Sequence, residues 1–232
     1  MMKILHWYYD FLNLYGDYGN LVVLKKHLLD QGIECVIEQK TIGDKIKLSD
    51  YQFIYLSAGS ERNQKVVLHD LRSCKDELQA YINAGGLMLL TGNSMELLGQ
   101  KIDDEEALGL VEFSTKHTDK RFTGDVIMDS EFGKIVGFIN KSSLIFSNNP
   151  YPLFKYLFKD ENLQDNEFEG YHFNNVIGTE IIGPILVKNP KMMKALVQKI
   201  MASYYPDLSY QELSYEYEED SYRVTLEALS KR

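Results

Sequence analysis

The chain has 232 residues, 44% hydrophobic and 12% aromatic, with 25 Lys+Arg against 34 Asp+Glu and a formal net charge of -9. At roughly 150 residues per domain this allows one large domain or two small ones, and the apolar content excludes a disordered chain. The acidic balance excludes a general nucleic-acid binder, which needs a basic surface for phosphates. The two cysteines, Cys35 and Cys74, give neither a disulfide framework nor a Cys-rich zinc site, and they suit a reducing compartment.

The segment Met1 to Asp10 lacks a signal-peptide apolar region, and no run approaches the ~20 apolar residues of a membrane span. The predicted address is the cytoplasm. Lys3 to Tyr8 reads as a first buried strand. Asp17 to Gln31 reads as a helix, with Leu21, Leu24 and Leu28 on one stripe and Gly32 as its stop. Strands follow at Ile33 to Glu38 and Gln52 to Leu56. One long helical stretch then runs to Ala84, ended by Gly85-Gly86. Leu87 to Leu90 is a fourth strand, followed by Thr91-Gly92-Asn93-Ser94 and a helical run from Met95 to Leu98.

Unbroken apolar strands alternating with helices predict an α/β fold whose central sheet is mostly parallel and covered on both faces. Further β signals fall at Val111 to Phe113, Asp125 to Met128, Ile135 to Phe138, Leu144 to Phe146, Asn175 to Ile177 and Ile185 to Val187. Lys191 to Tyr204 returns to helix, broken by Pro206. No repeat or Pro/Gly/Ser linker divides the chain. Residues 1–205 are expected to form one domain. Residues 206–232 form an acidic, tyrosine-rich helical tail (Tyr210, Tyr215, Tyr217, Tyr222) that either packs on the domain or serves as an interface.

Three segments follow predicted strands: Leu12 to Asn20, Leu56 to Gln64 and Leu89 to Gly99. In a doubly wound sheet such segments line one crevice at the carboxyl ends of the strands, where ligands bind. No His/Cys/Asp/Glu spacing resembles a metal site, and Gly85-Gly86 lacks the lysine of a phosphate loop. Neither a cofactor nor a metal is expected.

The stretches LNLYGDYGN (12–20), GSERNQ (59–64), RFTGDVIMDSEFGKIVGF (121–138) and IGTEIIGPIL (177–186) resemble the GatD-like class I glutamine amidotransferases of the cobyric-acid-synthase-like branch. The resemblance spans roughly residues 3 to 200. It implies a flavodoxin-like three-layer sandwich and a role beside a Mur-ligase-like partner, MurT, in amidating the cell-wall precursor lipid II. It also implies a cysteine thiolate on the elbow after a central strand, activated by a histidine, attacking the amide of glutamine while backbone N–H groups hold the oxyanion.

The sequence departs from that pattern at both catalytic positions. Anchored on Leu98-Gly99, the nucleophile falls on Gly92. Anchored on Gly183-Pro184-Ile185-Leu186, the histidine falls on Ile182. Ser57 and Ala58 stand where two glycines are expected, and their side chains would crowd an oxyanion pocket. Asn140-Lys141-Ser142-Ser143 replaces a His-Gly-Gly type stretch. The expectation is a subunit that keeps the fold and lacks glutaminase activity, a pseudoenzyme.

The remaining candidates each have two readings. Ser94 is the one replacement nucleophile on the elbow, against a helix-cap role for it or Asn93. Gly59, Ser60, Arg62, Gln64, Asn93 and Arg121 are candidate ligand contacts. Arg62 reads alternatively as a solvated helix start, and Arg121 as a salt-bridge residue. Asp17 reads as the cap of the first helix or as a site-facing carboxylate, with Tyr15 and Asn20 ordering the same loop. His117 reads as exposed in a polar loop, and His172 as half-buried and satisfied. Three functions remain open: a non-catalytic docking or regulatory subunit, an active amidotransferase with a nonstandard nucleophile, and a module that binds glutamine or a related amide without hydrolysing it. The first is preferred.

Overall fold

The computed structural model describes residues 1–147 and 151–232. In the first half, strands β1 (Met2–Trp7), β2 (Cys35–Lys40), β3 (Phe53–Leu56) and β4 (Leu87–Thr91) alternate with helices α1 (Gly19–Asp30), α2 (Glu61–Leu71) and α3 (Lys75–Asn83). Local signals place the helix ends. Gly32 takes φ +77, which lets its N–H reach Leu29 O and the N–H of Ile33 reach Leu28 O, both at 2.9 Å, a Schellman stop. Ser60 caps α2 by accepting from the N–H of Asn63 at 3.2 Å. The predicted long helix is interrupted by a 3-10 turn at Arg72–Cys74, which separates α2 from α3.

The second half adds a hairpin, β5 (Lys101–Ile102) with β6 (Glu105–Glu106). Two long strands follow, β7 (Phe113–Asp129) and β8 (Ile135–Ser147), then β9 (Pro152–Lys159), β10 (Phe168–Phe173), β11 (Val176–Thr179) and β12 (Ile181–Ile182). The chain ends with α4 (Ile185–Lys188), α5 (Pro190–Tyr204) and α6 (Glu216–Leu229). Ile185 to Val187 is therefore helical and not the predicted strand. Three apolar residues carry no period, and here they follow Pro184 into a helical turn.

The sheet runs in the order β12-β8-β7-β9-β10-β11-β4-β3-β1-β2. Its β11-β4-β3-β1-β2 portion is parallel, and β10, β9, β7, β8 and β12 continue it antiparallel. Alternate residues of the parallel strands feed two cores. Ile4, Phe53, Tyr55, Leu87 and Leu89 pack with α1 and α5 on one face. Leu5, Ile54, Leu56, Met88 and Leu90 pack with α2 and α3 on the other. Both faces being covered is why these strands read as unbroken apolar runs.

The tail lies against the domain. Gln31 and the backbone of Gln211 exchange two hydrogen bonds. The buried His27 ring stacks on Tyr215 at 3.9 Å and sits 2.9 Å from the Glu218 carboxylate. Leu229 packs on Ile127 and Val136. No helix among the described residues is long and apolar enough to cross a membrane.

Candidate functional site

Parallel strands β3 and β4 end side by side, so the loops that leave them meet. Gly92 begins a 3-10 helix, Gly92–Leu98, directly after β4. Its φ of +59 makes the sharp strand-to-helix turn on which this kind of fold presents a nucleophile. A Cβ built on Gly92 would lie 2.6 Å from the Cβ of Ala58 and 2.9 Å from Cγ2 of Ile182. The elbow, the loop after β3 and the strand β12 therefore converge on one point, and two methyl groups occupy it.

Two backbone donors of the loop after β3 have partners at that point. The N–H of Gly59 donates to Oδ1 of Asn93 at 2.9 Å, and the N–H of Ala58 leans on Oδ2 of Asp17 at 3.4 Å. Gly59 itself admits no side chain, since a Cβ there would meet Leu12 at 2.5 Å and the Phe11 carbonyl at 2.9 Å. The crevice at the strand tips encloses only 20 Å3 and is lined by Tyr15, Asn93, His117, Arg121, Asn140 and Ile182, among others. That is space for about one water molecule.

Two buried carboxylates stand behind the elbow. Asp17 does not cap α1, whose cap residue is Tyr18. Instead its fully buried Oδ2 accepts from Oγ1 of Thr91 at 3.0 Å, and its Oδ1 has no hydrogen-bond partner. Burial pushes the Asp17 carboxyl up to about 6, against the opposing bond from Thr91. Glu96 accepts from Gln64 Nε2 at 2.8 Å and from Ser143 Oγ at 2.5 Å. Desolvation again raises its pKa. Further along the wall Lys141 and Glu180 form a buried ion pair, with Glu169 hydrogen-bonded to Thr179 beside them.

A model of the CobB/CobQ-like glutamine amidotransferase domain matches residues 3–190. The chain belongs to that family. Among its relatives are the glutamine-hydrolysing lipid II isoglutaminyl synthase subunits GatD of Staphylococcus aureus, 30% identical over 207 residues (85% of this chain, 84% of the relative), and of Streptococcus pneumoniae, 28% identical over 234 residues (93% and 90%). The GatD-like resemblance is thereby borne out. Similar solved folds include PurLQS from Thermotoga maritima (TM-score 0.59, 18% identity, covering 88% of this chain and 98% of that one) and a glutamine amidotransferase from the same organism (0.53, 10%, 100% and 97%). The architecture is thus the class I, flavodoxin-like amidotransferase sandwich.

Within this amidotransferase domain the candidate residues separate. Tyr15, Gly59, Asn93, Arg121 and Ile182 reach the crevice. Tyr15 does so with a left-handed backbone, φ +61. Arg121 pairs with Glu61 at 3.1 Å and its Nε donates to Asn140 at 2.8 Å. Gln64 is buried, its amide donating to Asn93 O at 2.6 Å as well as to Glu96. Arg62 is exposed and outside the crevice lining. Ser60 is occupied as a cap. Asn20 orders the first loop, donating to Tyr55 Oη at 2.9 Å and accepting from the N–H of Leu186 at 2.8 Å.

Ser94 is completely buried, with Oγ 3.0 Å from Leu56 O and 2.9 Å from Thr91 O. Its single proton is shared between two carbonyls, and no base is among its partners. His117 is not a loop residue. It lies in β7, half-buried, with Nδ1 2.9 Å from the Asp103 carboxylate, because the polar stretch around it is one exposed end of a long hairpin. His172 pairs with Glu131 at 3.0 Å. Among the described residues no group of three or more His, Cys, Asp or Glu is placed to hold a metal. Glu96, Thr91 and Lys141 carry no sequence signal as site residues. Only their burial beside the elbow identifies them.

Proposed function

We propose that this chain is a non-catalytic glutamine amidotransferase subunit, a pseudo-glutaminase that docks on or regulates a Mur-ligase-like amidating partner in lipid II metabolism. The observation that carries the reading is the crowding at Gly92, where a Cβ would lie 2.6 Å from Ala58 and 2.9 Å from Ile182. The position for a nucleophile has no side chain, the position for a base is an alkyl group, and a Cβ at the first would collide with Ala58 and with that alkyl group. Covalent amide hydrolysis needs a nucleophile, a base to activate it and donors for the oxyanion. The first two are replaced, and the N–H groups of Ala58 and Gly59 are engaged by Asp17 and Asn93.

An active enzyme using Ser94 would need that hydroxyl to leave two backbone carbonyls and find a base. A glutamine-binding module would need a free cation for the carboxylate, whereas Arg121 at the crevice is paired with Glu61 and donates to Asn140. What the sequence keeps is the family fold with a polar crevice rim of Glu61, Arg121, Asn140 and Ser142, a surface suited to specific contact with another protein.

The test is co-expression with a Mur-ligase-like protein from the same genome. A stable complex that releases no ammonia from glutamine is expected. Failure of any such protein to associate, or ammonia release abolished by Ser94→Ala, overturns the proposal.

A further inference from the structure

A second cavity lies at the opposite end of the sheet from the crevice. Its floor includes Phe53 and Leu87, the first residues of β3 and β4, whereas the crevice lies beyond Leu56 and Thr91 at their far ends. The cavity measures 270 Å3. Met192 and Leu196 of α5, Ile177 of β11 and Phe132 in the β7–β8 turn complete its apolar wall. It exceeds the roughly 150 Å3 of an engineered apolar cavity that takes up benzene. A well-formed apolar pocket with few polar groups at its rim is the usual form of a small-molecule site.

The rim sets the chemistry of the ligand. Glu131 and His172 are paired with each other at 3.0 Å, and Asn175 is engaged with Gly85 O at 2.7 Å. The side chains of Lys199 and Asn174 make no hydrogen bond or ion pair among the described residues. The rim thus carries one cation with no carboxylate partner, Lys199, and the unengaged amide of Asn174, while its carboxylate, Glu131, is held by His172.

We propose that this cavity is a binding site for a small amphipathic monocarboxylate, with its alkyl or aryl body between α5 and the sheet and its carboxylate at Lys199 and Asn174. Burial of the body supplies the affinity, and the exposed charge pair adds a smaller, salt-sensitive part. The site is separate from the crevice, so it stands or falls independently of the pseudo-glutaminase reading.

Octanoate is the probe, with octanol as its uncharged counterpart, titrated by calorimetry into the full chain. Saturable one-to-one octanoate binding is expected, weakened at least fivefold in Lys199→Glu while octanol is unaffected. Ala195→Phe, which fills the cavity from α5, is expected to abolish binding of both, and a melting temperature no lower than that of the parent shows that it folds. No saturable octanoate binding overturns the proposal. So does binding that is unchanged in both Lys199→Glu and Ala195→Phe.

Discussion

Replacing Gly92 by alanine adds one methyl at the point where the elbow, the β3 loop and β12 meet, and two costs follow. At φ +59 a residue with a Cβ pays about 1–2 kcal/mol for the left-handed conformation. The new Cβ also lies 2.6 Å from Ala58 and 2.9 Å from Ile182. Ala58 is buried in the loop just after β3, and Ile182 is paired with Phe138 in the sheet, so neither yields freely. Overpacking of this kind costs about 1–3 kcal/mol. The expected destabilisation is about 2–5 kcal/mol, read from urea unfolding followed by circular dichroism. Ala58→Gly removes the shorter contact, so the double variant should show a favourable coupling of about 1 kcal/mol or more. A Gly92→Ala protein within about 0.5 kcal/mol of the parent, or strict additivity with Ala58→Gly, would refute the convergence of these positions.

The Asp17 carboxyl, raised to about 6 by burial, binds a proton more tightly folded than unfolded. Its contribution is therefore present below about pH 4 and lost as pH rises through 6, up to about 3 kcal/mol in all. Asp17→Asn should be more stable than the parent at pH 7.5 and should flatten the decline between pH 4 and 7, as seen in denaturation midpoints across pH. Lys141→Met strands the buried Glu180 carboxylate and should cost about 3–5 kcal/mol, whereas Lys141→Met with Glu180→Leu should recover most of it. Ser94→Ala withdraws the donor shared by Leu56 O and Thr91 O and should lower stability by about 1–3 kcal/mol in the same assay.

The parallel half of the fold was legible because burial on both faces leaves unbroken apolar strings such as Phe53 to Leu56 and Leu87 to Leu90. The long hairpin was not. Its polar stretches, His117 to Lys120 and Asn140 to Ser143, divide β7 and β8 into fragments that read as separate strands, and His117 as a loop residue. Ile185 to Val187 failed for want of length. The convergence of Gly92, Ala58 and Ile182 rested on family motifs, since positions so far apart in the chain share no local pattern. The carboxylates of Asp17 and Glu96 were harder still. Charged residues ordinarily signal solvent, and only tertiary structure shows these two beneath the elbow, with Lys141 along the same wall.

Neither Gly92 on the elbow nor Ile182 on β12 carries a group able to attack an amide or take up a proton. The most direct measurement is ammonia release from glutamine by the chain in complex with the Mur-ligase-like protein proposed as its partner, compared with the same complex carrying Ser94→Ala. No release above the protein-free rate is expected for either protein. Turnover by the parent complex would contradict the pseudo-glutaminase proposal, and its disappearance with Ser94→Ala would assign the nucleophile to Ser94.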